Sequence, residues 1–591
     1  MQLVYKKQKM NRRNLLAFVC PVIFFIVVVY VALPVLALDF VGFWVLLLFV
    51  FLITFGIAQS RMVKKIAAVL AGICLLIMIF YTLFGSSVLM NTAQYRNLLG
   101  NVDTGKFNAD MEPISLSEIR IIDEESAEKI GDKLLGSDPA IGSRVVHGDY
   151  TLQRVRNHLY WVSPLLHSGF WKWKNNEGTP GYVIVSATDA EDARLVEQVD
   201  NKDLLIRYQP EAYFSDDLER HIRMNGYAGV GLTDFAFEVD DSLHPFWVVT
   251  AYVHAIGFGG SVTKEVLVVN PATGEITPYT PDKAPIWIDR IQPSDFVKDQ
   301  IDDWGEYING YWNWSDRGKL TVTDDELSLV YGSDGRCYFY TGITSVGKDN
   351  GTIGFMLVDS RSKKAKLYKQ PGAVESSAKT SAEGKVQQMG YRASYPVMYN
   401  IAGIPTYVMA LKDKGGLVKE IAMVSVADYS IVGSGADVQE ALNDYQSNLV
   451  SKGNQLVPNG QNQPNKIKAT VLRINAGTIG GNTQYYLVLN NYANKIFIGR
   501  ASLSEKLPVT QPGDLVEVSF SDSKSETVNL SGFDNLQLAL QKAPVQLLKD
   551  AYADSVRIDS DGIDAANAKW EQLGAKEKIE LLKGVKGKAQ K

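Results

Sequence analysis

Residues 15–32 read LLAFVCPVIFFIVVVYVA, and this apolar stretch, together with two runs that follow it, decides how the chain is organised. The three runs extend over about 14–38, 40–59 and 66–84. Each is close to the ~20 residues that a helix needs to cross the hydrocarbon core of a bilayer. A cleaved signal peptide would be shorter than the first run and would not be followed by two more. The sequence therefore predicts a transmembrane anchor of three helices within residues 1–84.

Basic residues at the ends of the runs predict the orientation of the anchor. Five lysines and arginines precede the first run, and the turn around Asp39 has none. The second loop carries three more, Arg61, Lys64 and Lys65. Because short cytoplasmic loops are enriched in basic residues, we expect the N-terminus and the second loop in the cytoplasm. The expected localisation is therefore a multi-pass protein of the cell membrane, with the residues after about 84 extracytoplasmic and the lipid bilayer as one partner.

Charge and cysteine content narrow the function classes. The chain has 591 residues, enough for several domains. Residues 1–84 carry a net charge of +7 and the remainder −12, so we expect no nucleic-acid partner. Cys337 is the only cysteine beyond the apolar runs, which excludes a disulfide framework and a cysteine-based zinc site in that part. No charged residue lies inside the runs, which favours an anchor over a transport pathway.

The sequence after residue 84 predicts a membrane-anchored α+β fold in which an amphipathic helix followed by an antiparallel meander recurs. We expect a first α+β module at 85–200, a second at 201–320, and a third and fourth repeat within 321–450. Residues 451–466 are rich in Asn, Gln, Gly and Pro, as in a linker. Short strand-like runs over 467–540 predict a small OB-like β-barrel, and residues 541–591 have the pattern of a helical tail.

One hairpin carries a family resemblance. The strand Val266–Val269 leads into Asn270-Pro271-Ala272-Thr273-Gly274-Glu275-Ile276, and this combination resembles the PepSY module of peptidase propeptides and bacterial envelope proteins. A diverged copy at Phe355–Asp359 lacks the Thr-Gly-Glu. The resemblance covers about 115–430 and implies a domain that inhibits, chaperones or regulates a partner protein without chemistry of its own. The whole chain is also similar to uncharacterised multi-pass membrane proteins of bacteria and their phages.

Motifs for chemistry are missing from the sequence. It contains no Gly-x-Ser-x-Gly, no His-Glu-x-x-His and no phosphate-binding loop. Asp234, Glu238 and Asp240 alternate along a predicted strand; a shared solvated face explains them, and a cation site is the alternative. We therefore predict no catalytic, cofactor-binding or metal-binding residues and no cofactor.

Two aromatic clusters are the candidate partner-binding residues. The first contains Trp161, Trp171 and Trp173, and the second contains Trp304, Tyr307, Tyr311 and Trp314. The second set is spaced i, i+3, i+7, i+10, which predicts one face of a helix. Packing against a sheet is one interpretation, and an exposed platform for a protein or sugar is the other.

Together these patterns predict a non-enzymatic cell-envelope protein whose exported domain binds or regulates another envelope protein. One alternative is an envelope hydrolase that uses a pair of carboxylates. Another is a structural subunit of a membrane assembly. The oligomeric state stays open.

Overall fold

The computed structural model describes residues 12–538 with gaps at 112–113, 138, 324–326, 333–334, 347–350, 402, 452–464, 480–481, 501–502 and 521–526. The predicted helical tail and most of the predicted linker lie outside these residues. Contacts within the chain divide it into two units, Met1–Asn459 and Gly460–Lys591. The prediction of a mixed α+β chain with apolar N-terminal helices is confirmed.

Three helices begin the first unit: α1 (Arg12–Ala32), α2 (Val41–Ile57) and α3 (Arg61–Phe80), the last continued by a π-helical turn at Tyr81–Gly85. Two of them, over Leu15–Ala32 and Arg61–Gly85, are long and apolar enough to cross a membrane, whereas α2 has 17 residues. The helices pack in sequence order, α2 against both neighbours. Large apolar side chains stay exposed on their outer faces, Leu76 at 67% for example.

Four helices lie between the apolar helices and the first sheet. Asp123 stabilises the start of the third of them, α6 (Glu124–Ser137), because its Oδ1 accepts a hydrogen bond from the Ser126 N–H at 3.1 Å. The strand order is β2-β4-β5-β6, with β3 paired to β4, and all of its pairs are antiparallel. The elements are α4 (Val88–Arg96), β1 (Val102–Gly105), α5 (Phe107–Asp110), α6 (Glu124–Ser137), α7 (Pro139–Gly142), β2 (Val145–His147), β3 (Thr151–Val155), β4 (His158–His167), α8 (Phe170–Asn175), β5 (Tyr182–Ser186), β6 (Ala193–Val196), and a small ribbon of β7 (Gln198–Val199) and β8 (Lys202–Asp203).

The second sheet is a four-stranded antiparallel meander preceded by a short helix. Asp217 caps this helix by accepting the Arg220 N–H at 2.8 Å, and Leu218 and Ile222 are fully buried against the sheet. The elements are α9 (Leu218–Ile222), β9 (Gly231–Val239), β10 (Pro245–Ile256), β11 (Gly259–Val269) and β12 (Ile276–Tyr279).

The third sheet includes a strand from far away in the chain. Strand β1 pairs in parallel with β18, so the segment that leaves the apolar helices forms one edge of this sheet. The order is β1-β18-β17-β15-β13, with β14 paired to β15, and β16 and β19 form a separate ribbon. The elements are α10 (Ser294–Glu306), β13 (Leu320–Val322), β14 (Ser328–Tyr331), β15 (Cys337–Ser345), β16 (Gly351–Thr352), β17 (Gly354–Asp359), β18 (Ala365–Tyr368) and β19 (Gly372–Ala373).

The fourth sheet has helices before and after it. Its strands are almost wholly buried because α11 and α12 pack against them, and Tyr445 of α12 is completely buried. The order is β20-β22-β23-β24, with β21 paired to β22. The elements are α11 (Glu375–Lys385), β20 (Arg392–Ala393), β21 (Val397–Ile401), β22 (Ile404–Lys412), β23 (Val418–Ser425), β24 (Val432–Gly435) and α12 (Val438–Ser451).

The described residues of the second unit form a closed five-stranded barrel. Its strands are joined in the order β25-β26-β27-β29-β28, and β28 pairs back to β25. Leu487, Phe497 and Val518 are fully buried in its core. The strands are β25 (Asn465–Ile479), β26 (Asn482–Leu489), β27 (Ile496–Arg500), β28 (Leu515–Phe520) and β29 (Thr527–Asn535).

The second sheet contacts the apolar helices at one end. The Leu36 N–H, between α1 and α2, donates to the Ala228 carbonyl at 2.7 Å. Asp39 accepts the His254 N–H at 3.1 Å. At the end of the third helix, the Ser86 hydroxyl accepts the N–H of Phe258, in the β10–β11 turn, at 2.6 Å. These contacts fix the second sheet beside the α1–α2 loop and the end of α3.

Candidate functional site

The first aromatic surface is a chain of five side chains that touch ring to ring. Trp171 and Phe214 are its exposed members, at 69% and 55%. Neighbouring ring centroids are 5.0–5.8 Å apart, as is usual for aromatic pairs. The five residues are Phe170, Trp171, Trp173, Tyr213 and Phe214.

Local hydrogen bonds hold this surface in place. The indole N–H of Trp173 donates to Asp216 Oδ2 at 3.0 Å, and Arg207 pairs with Oδ1 of the same carboxylate at 3.0 Å. Phe214 has a φ of +54°, an unfavourable backbone conformation for a bulky residue. The fold therefore keeps a large apolar ring exposed at a strained position, a combination associated with function.

The second aromatic surface is the loop that follows α10. Its members are Tyr311, Trp312 and Trp314, exposed at 41%, 66% and 79%. Their rings meet edge to face, with centroids 5.4 and 5.5 Å apart. Because the hydration of exposed aromatic rings is unfavourable, three adjacent exposed rings are the type of surface that a partner covers.

Asparagine side chains order this loop. Asn309 and Asn313 both donate to the Arg317 carbonyl, at 2.6 and 3.0 Å, and the Ser315 hydroxyl donates to Asn313 Oδ1 at 3.1 Å. Gly310 has a φ of +82°, which lets the chain reverse after the helix. The tryptophans are thus presented by a pre-organised loop, which lowers the entropy lost on binding.

The structure corrects the predicted helical stripe. Helix α10 ends at Glu306, so Trp304 is helical, Tyr307 caps the helix, and Tyr311 and Trp314 lie in the turns that follow. Trp304 packs against the core below the third sheet. Burial, together with Glu306 and Asp303, raises the pKa of Tyr307 to about 12. The i, i+3, i+7, i+10 spacing is therefore not one face of a helix.

The other predicted members separate as well. Trp161 is only 7% exposed and donates to the Ile122 carbonyl at 2.8 Å, so it is a core residue that offers no outer surface. Trp171 and Trp173 do lie together, as their proximity in sequence indicates. Tyr213 and Phe214 were missed by sequence reasoning, because only the fold brings them to α8.

A buried charged cluster lies between the first, second and third sheets. Arg290 pairs with Asp234 at 3.0 Å, and Asp289 accepts the Arg154 N–H at 2.6 Å and the Tyr331 hydroxyl at 3.0 Å. Glu238, the remaining member, is 1% exposed. The cluster joins residues from elements far apart in the sequence.

Burial dominates the chemistry of these carboxyl groups. It raises the pKa of Asp289 to about 6, although two hydrogen bonds to the carboxylate act in the opposite direction. It raises the pKa of Glu238 well above the usual range, and nearby Asp289 adds to the increase. Glu238 Oε2 is buried without a hydrogen-bond partner. The expectation that Asp234, Glu238 and Asp240 share a solvated face is therefore wrong for Glu238.

A polar cavity of about 330 Å³ adjoins this cluster, with walls from the first, third and fourth sheets. Arg120, Glu124 and Arg290 contribute charge to its lining, and Trp161 contributes an apolar wall. Burial and the carboxylate of Asp149 raise the pKa of Glu124. Because both signs of charge line it, the cavity points to no single class of ligand.

Among the residues that the structure describes, no group of three or more His, Cys, Asp or Glu side chains is arranged to hold a metal ion. No protein-family model matches the chain, and no curated protein is significantly similar to it.

Proposed function

We propose that this chain is a multi-pass cell-membrane protein whose extracytoplasmic, PepSY-like sheets bind another envelope protein through the second aromatic surface. In this arrangement the N-terminus is cytoplasmic, α1, α2 and α3 all cross the bilayer, and the residues after about 84 are outside. At ~1.5 Å per residue, the 17 residues of α2 span most of a ~30 Å hydrocarbon core.

The contacts of the second sheet support the orientation. It lies against the α1–α2 loop and the end of α3, and the basic Arg61, Lys64 and Lys65 are at the start of α3 instead. The second sheet and the basic loop are therefore at opposite ends of the helices, which supports the orientation proposed from the distribution of basic residues.

The main observation in support of partner binding is that Tyr311, Trp312 and Trp314 are exposed in a loop that side-chain hydrogen bonds hold in one conformation. Tryptophan and tyrosine contribute most to protein–protein hot spots, and truncation of one hot-spot residue costs about 2 kcal/mol or more. The strand order of the second unit supports an OB-like assignment for the barrel, without indicating a ligand.

Orientation is tested by cysteine labelling of the full chain in spheroplasts with a membrane-impermeant maleimide. Ile286 is 92% exposed in the exported domain, and Gln59 lies between α2 and α3. We expect Ile286→Cys to react in intact spheroplasts and Gln59→Cys only after lysis. The opposite pattern would overturn the topology and the binding role with it.

Binding is tested with a photo-reactive phenylalanine analogue at position 312 of the full chain in cells, with the more exposed position 286 as the control. We expect a specific crosslinked protein from position 312 that disappears when Trp314→Ser is added. Equal crosslinking from both positions, or crosslinking that survives Trp314→Ser, would contradict the proposal.

A further inference from the structure

We infer that the first aromatic surface lies in the headgroup region of the outer leaflet, where it holds the exported domain against the lipid. This inference rests on the proposed membrane anchoring. It concerns a different surface from the one that we assign to the protein partner.

Arg220 connects this surface directly to the first apolar helix. Its Nε donates to the Tyr30 carbonyl at 3.1 Å, and its guanidinium lies 4.9 Å from the centre of the Tyr30 ring. Its Nη1 donates to the Phe214 carbonyl at 2.6 Å. One side chain therefore holds Phe214 beside the last turn of α1.

The position of Tyr30 determines the depth of the surface. It lies two residues before the end of α1, a helix of 21 residues, and a helix of that length spans about 30 Å. The last turn of such a helix reaches the boundary between hydrocarbon and headgroups. Phe214, fixed to that turn, must lie near the same boundary.

The remaining rings continue the surface from this point. The Phe214 ring is 5.8 Å from the Trp173 ring, which is 5.7 Å from Phe170, and Trp171 follows at 5.3 Å. Tryptophan and tyrosine are enriched at this depth because their rings are apolar at one end and polar at the other.

The charge of α8 fits a lipid headgroup better than it fits an apolar protein partner. The helix contains Lys172 and Lys174 and no acidic residue, and both lysines are exposed. Lys174 lies 5.7 Å from the centre of the Trp171 ring. Exposed lysines beside an interfacial tryptophan are placed to contact anionic phosphates. A lipid contact would also cover the Phe214 ring, which is otherwise 55% exposed.

The test measures quenching of tryptophan fluorescence by bromolipids in the full chain. The protein is reconstituted in vesicles of phosphatidylcholine and phosphatidylglycerol that are brominated on the acyl carbons nearest the headgroup. Trp171→Phe is compared with two matched variants: Trp44→Phe, within α2, and Trp314→Phe, in the second aromatic surface. All three replacements are conservative, and the exposed positions of Trp171 and Trp314 make misfolding a minor concern.

We expect the bromolipid-quenched fraction to fall by a similar amount in Trp171→Phe and Trp44→Phe, and to be unchanged in Trp314→Phe. If Trp44→Phe lowers the quenched fraction and Trp171→Phe does not, the lipid contact is overturned while the anchoring stands. If neither variant lowers it, the helices are not in the bilayer and the proposed anchoring fails as well. A Trp171 that aqueous iodide quenches and bromolipid does not would indicate a surface open to water or to a protein.

Discussion

The second and third sheets contain hairpin turns of the same conformation whose sequences share no residue. In the second sheet the turn is Asn270–Glu275, and in the third it is Asp359–Lys364. Asn270 Oδ1 accepts the N–H groups two and three residues ahead, each at 3.0 Å. Asp359 Oδ1 accepts the two equivalent N–H groups at 3.0 and 2.7 Å.

The backbone of the two turns matches as well. Gly274 has a φ of +75° and Lys363 a φ of +62°, and each donates its N–H to the carbonyl four residues earlier at 2.9 Å. The surroundings differ: a Cβ on Gly274 would lie 2.7 Å from His221 Nε2 and from the Tyr208 ring. Lys363 has room for a side chain, and its amine donates to the Leu98 carbonyl at 2.6 Å.

This difference separates what the turn requires from what its neighbours require. The turn itself needs an acceptor oxygen at its first residue and a left-handed backbone at its fifth. Glycine is needed only where helix α9 packs close. The absence of Thr-Gly-Glu from the turn of the third sheet therefore does not indicate that its hairpin is lost.

The largest effect is expected from Gly274→Ala. The added Cβ meets His221 and Tyr208 and must adopt a left-handed backbone, so we expect a loss of about 2–4 kcal/mol in stability. Lys363→Ala is the matched control, because a Cβ is already present there, and we expect a loss of about 1 kcal/mol. Urea unfolding of the detergent-solubilised full chain, followed by limited proteolysis at the second and third sheets, measures both. Equal losses would contradict the conclusion that the close packing of His221 and Tyr208 is what requires glycine at position 274.

The next largest effect is expected from removing the acceptor oxygen. Asp359→Ala leaves two backbone N–H groups without their partner at a site that is 6% exposed, and we expect a loss of about 2–3 kcal/mol. Asn270→Ala removes the same pair of bonds at a half-buried site, where water can replace them, so a loss of about 1 kcal/mol is expected. The same proteolysis assay compares them, and a larger loss in Asn270→Ala would contradict the role of burial.

A third contrast between the sheets concerns buried carboxyl groups. Asp359 is hydrogen-bonded by backbone N–H groups, whereas Glu238 of the second sheet has an oxygen with no partner, and burial raises its pKa. The folded state then binds a proton more tightly than the unfolded state does. Its contribution to stability is complete below the ordinary pKa of glutamic acid and falls as pH rises through the raised folded-state pKa.

Glu238→Gln removes that dependence. We expect the free energy of unfolding of the variant to exceed that of the parent by about 1 kcal/mol at pH 8 and to differ little from it at pH 4. Unfolding curves of both proteins across this pH range provide the measurement. A variant that is less stable at pH 8 would mean that the Glu238 charge is needed to balance Arg290.

The sequence predicts those features that depend on neighbouring residues. Apolar runs indicate the N-terminal helices, and alternation indicates strands such as β9. The parallel pairing of β1 with β18 escapes such reasoning, because the two strands are separated by most of the first unit. The spacing of the aromatic residues likewise predicts a helix that continues past Glu306. This prediction is wrong because spacing takes no account of the side-chain hydrogen bonds to the Arg317 carbonyl that favour a loop.

For the candidate sites as well, the sequence predicts what depends on neighbouring residues and misses what depends on the fold. Trp171 and Trp173 are adjacent in sequence and remain together, and the tyrosine and tryptophans after α10 are exposed in one loop. Trp161 was assigned to the first cluster by proximity, yet strand alternation directs its ring into the core. Glu238 was expected on a solvated face because a single strand does not reveal which of its faces another sheet will cover.

The smallest effect is expected from exchanging the two acceptors, as Asn270→Asp and Asp359→Asn. Either side chain offers the same Oδ1 to the same two N–H groups, so each variant should differ from the parent by less than about 1 kcal/mol. Asp359→Asn also loses an ion pair of 3.7 Å with Arg336, and because this guanidinium is 63% exposed, solvent screens the pair and its contribution is small. Unfolding in high and low salt separates that contribution from the hydrogen bonds, because salt screens only the ion pair. A loss in Asp359→Asn as large as in Asp359→Ala, at any salt concentration, would mean that the charge of this carboxylate, and not its geometry, maintains the third turn.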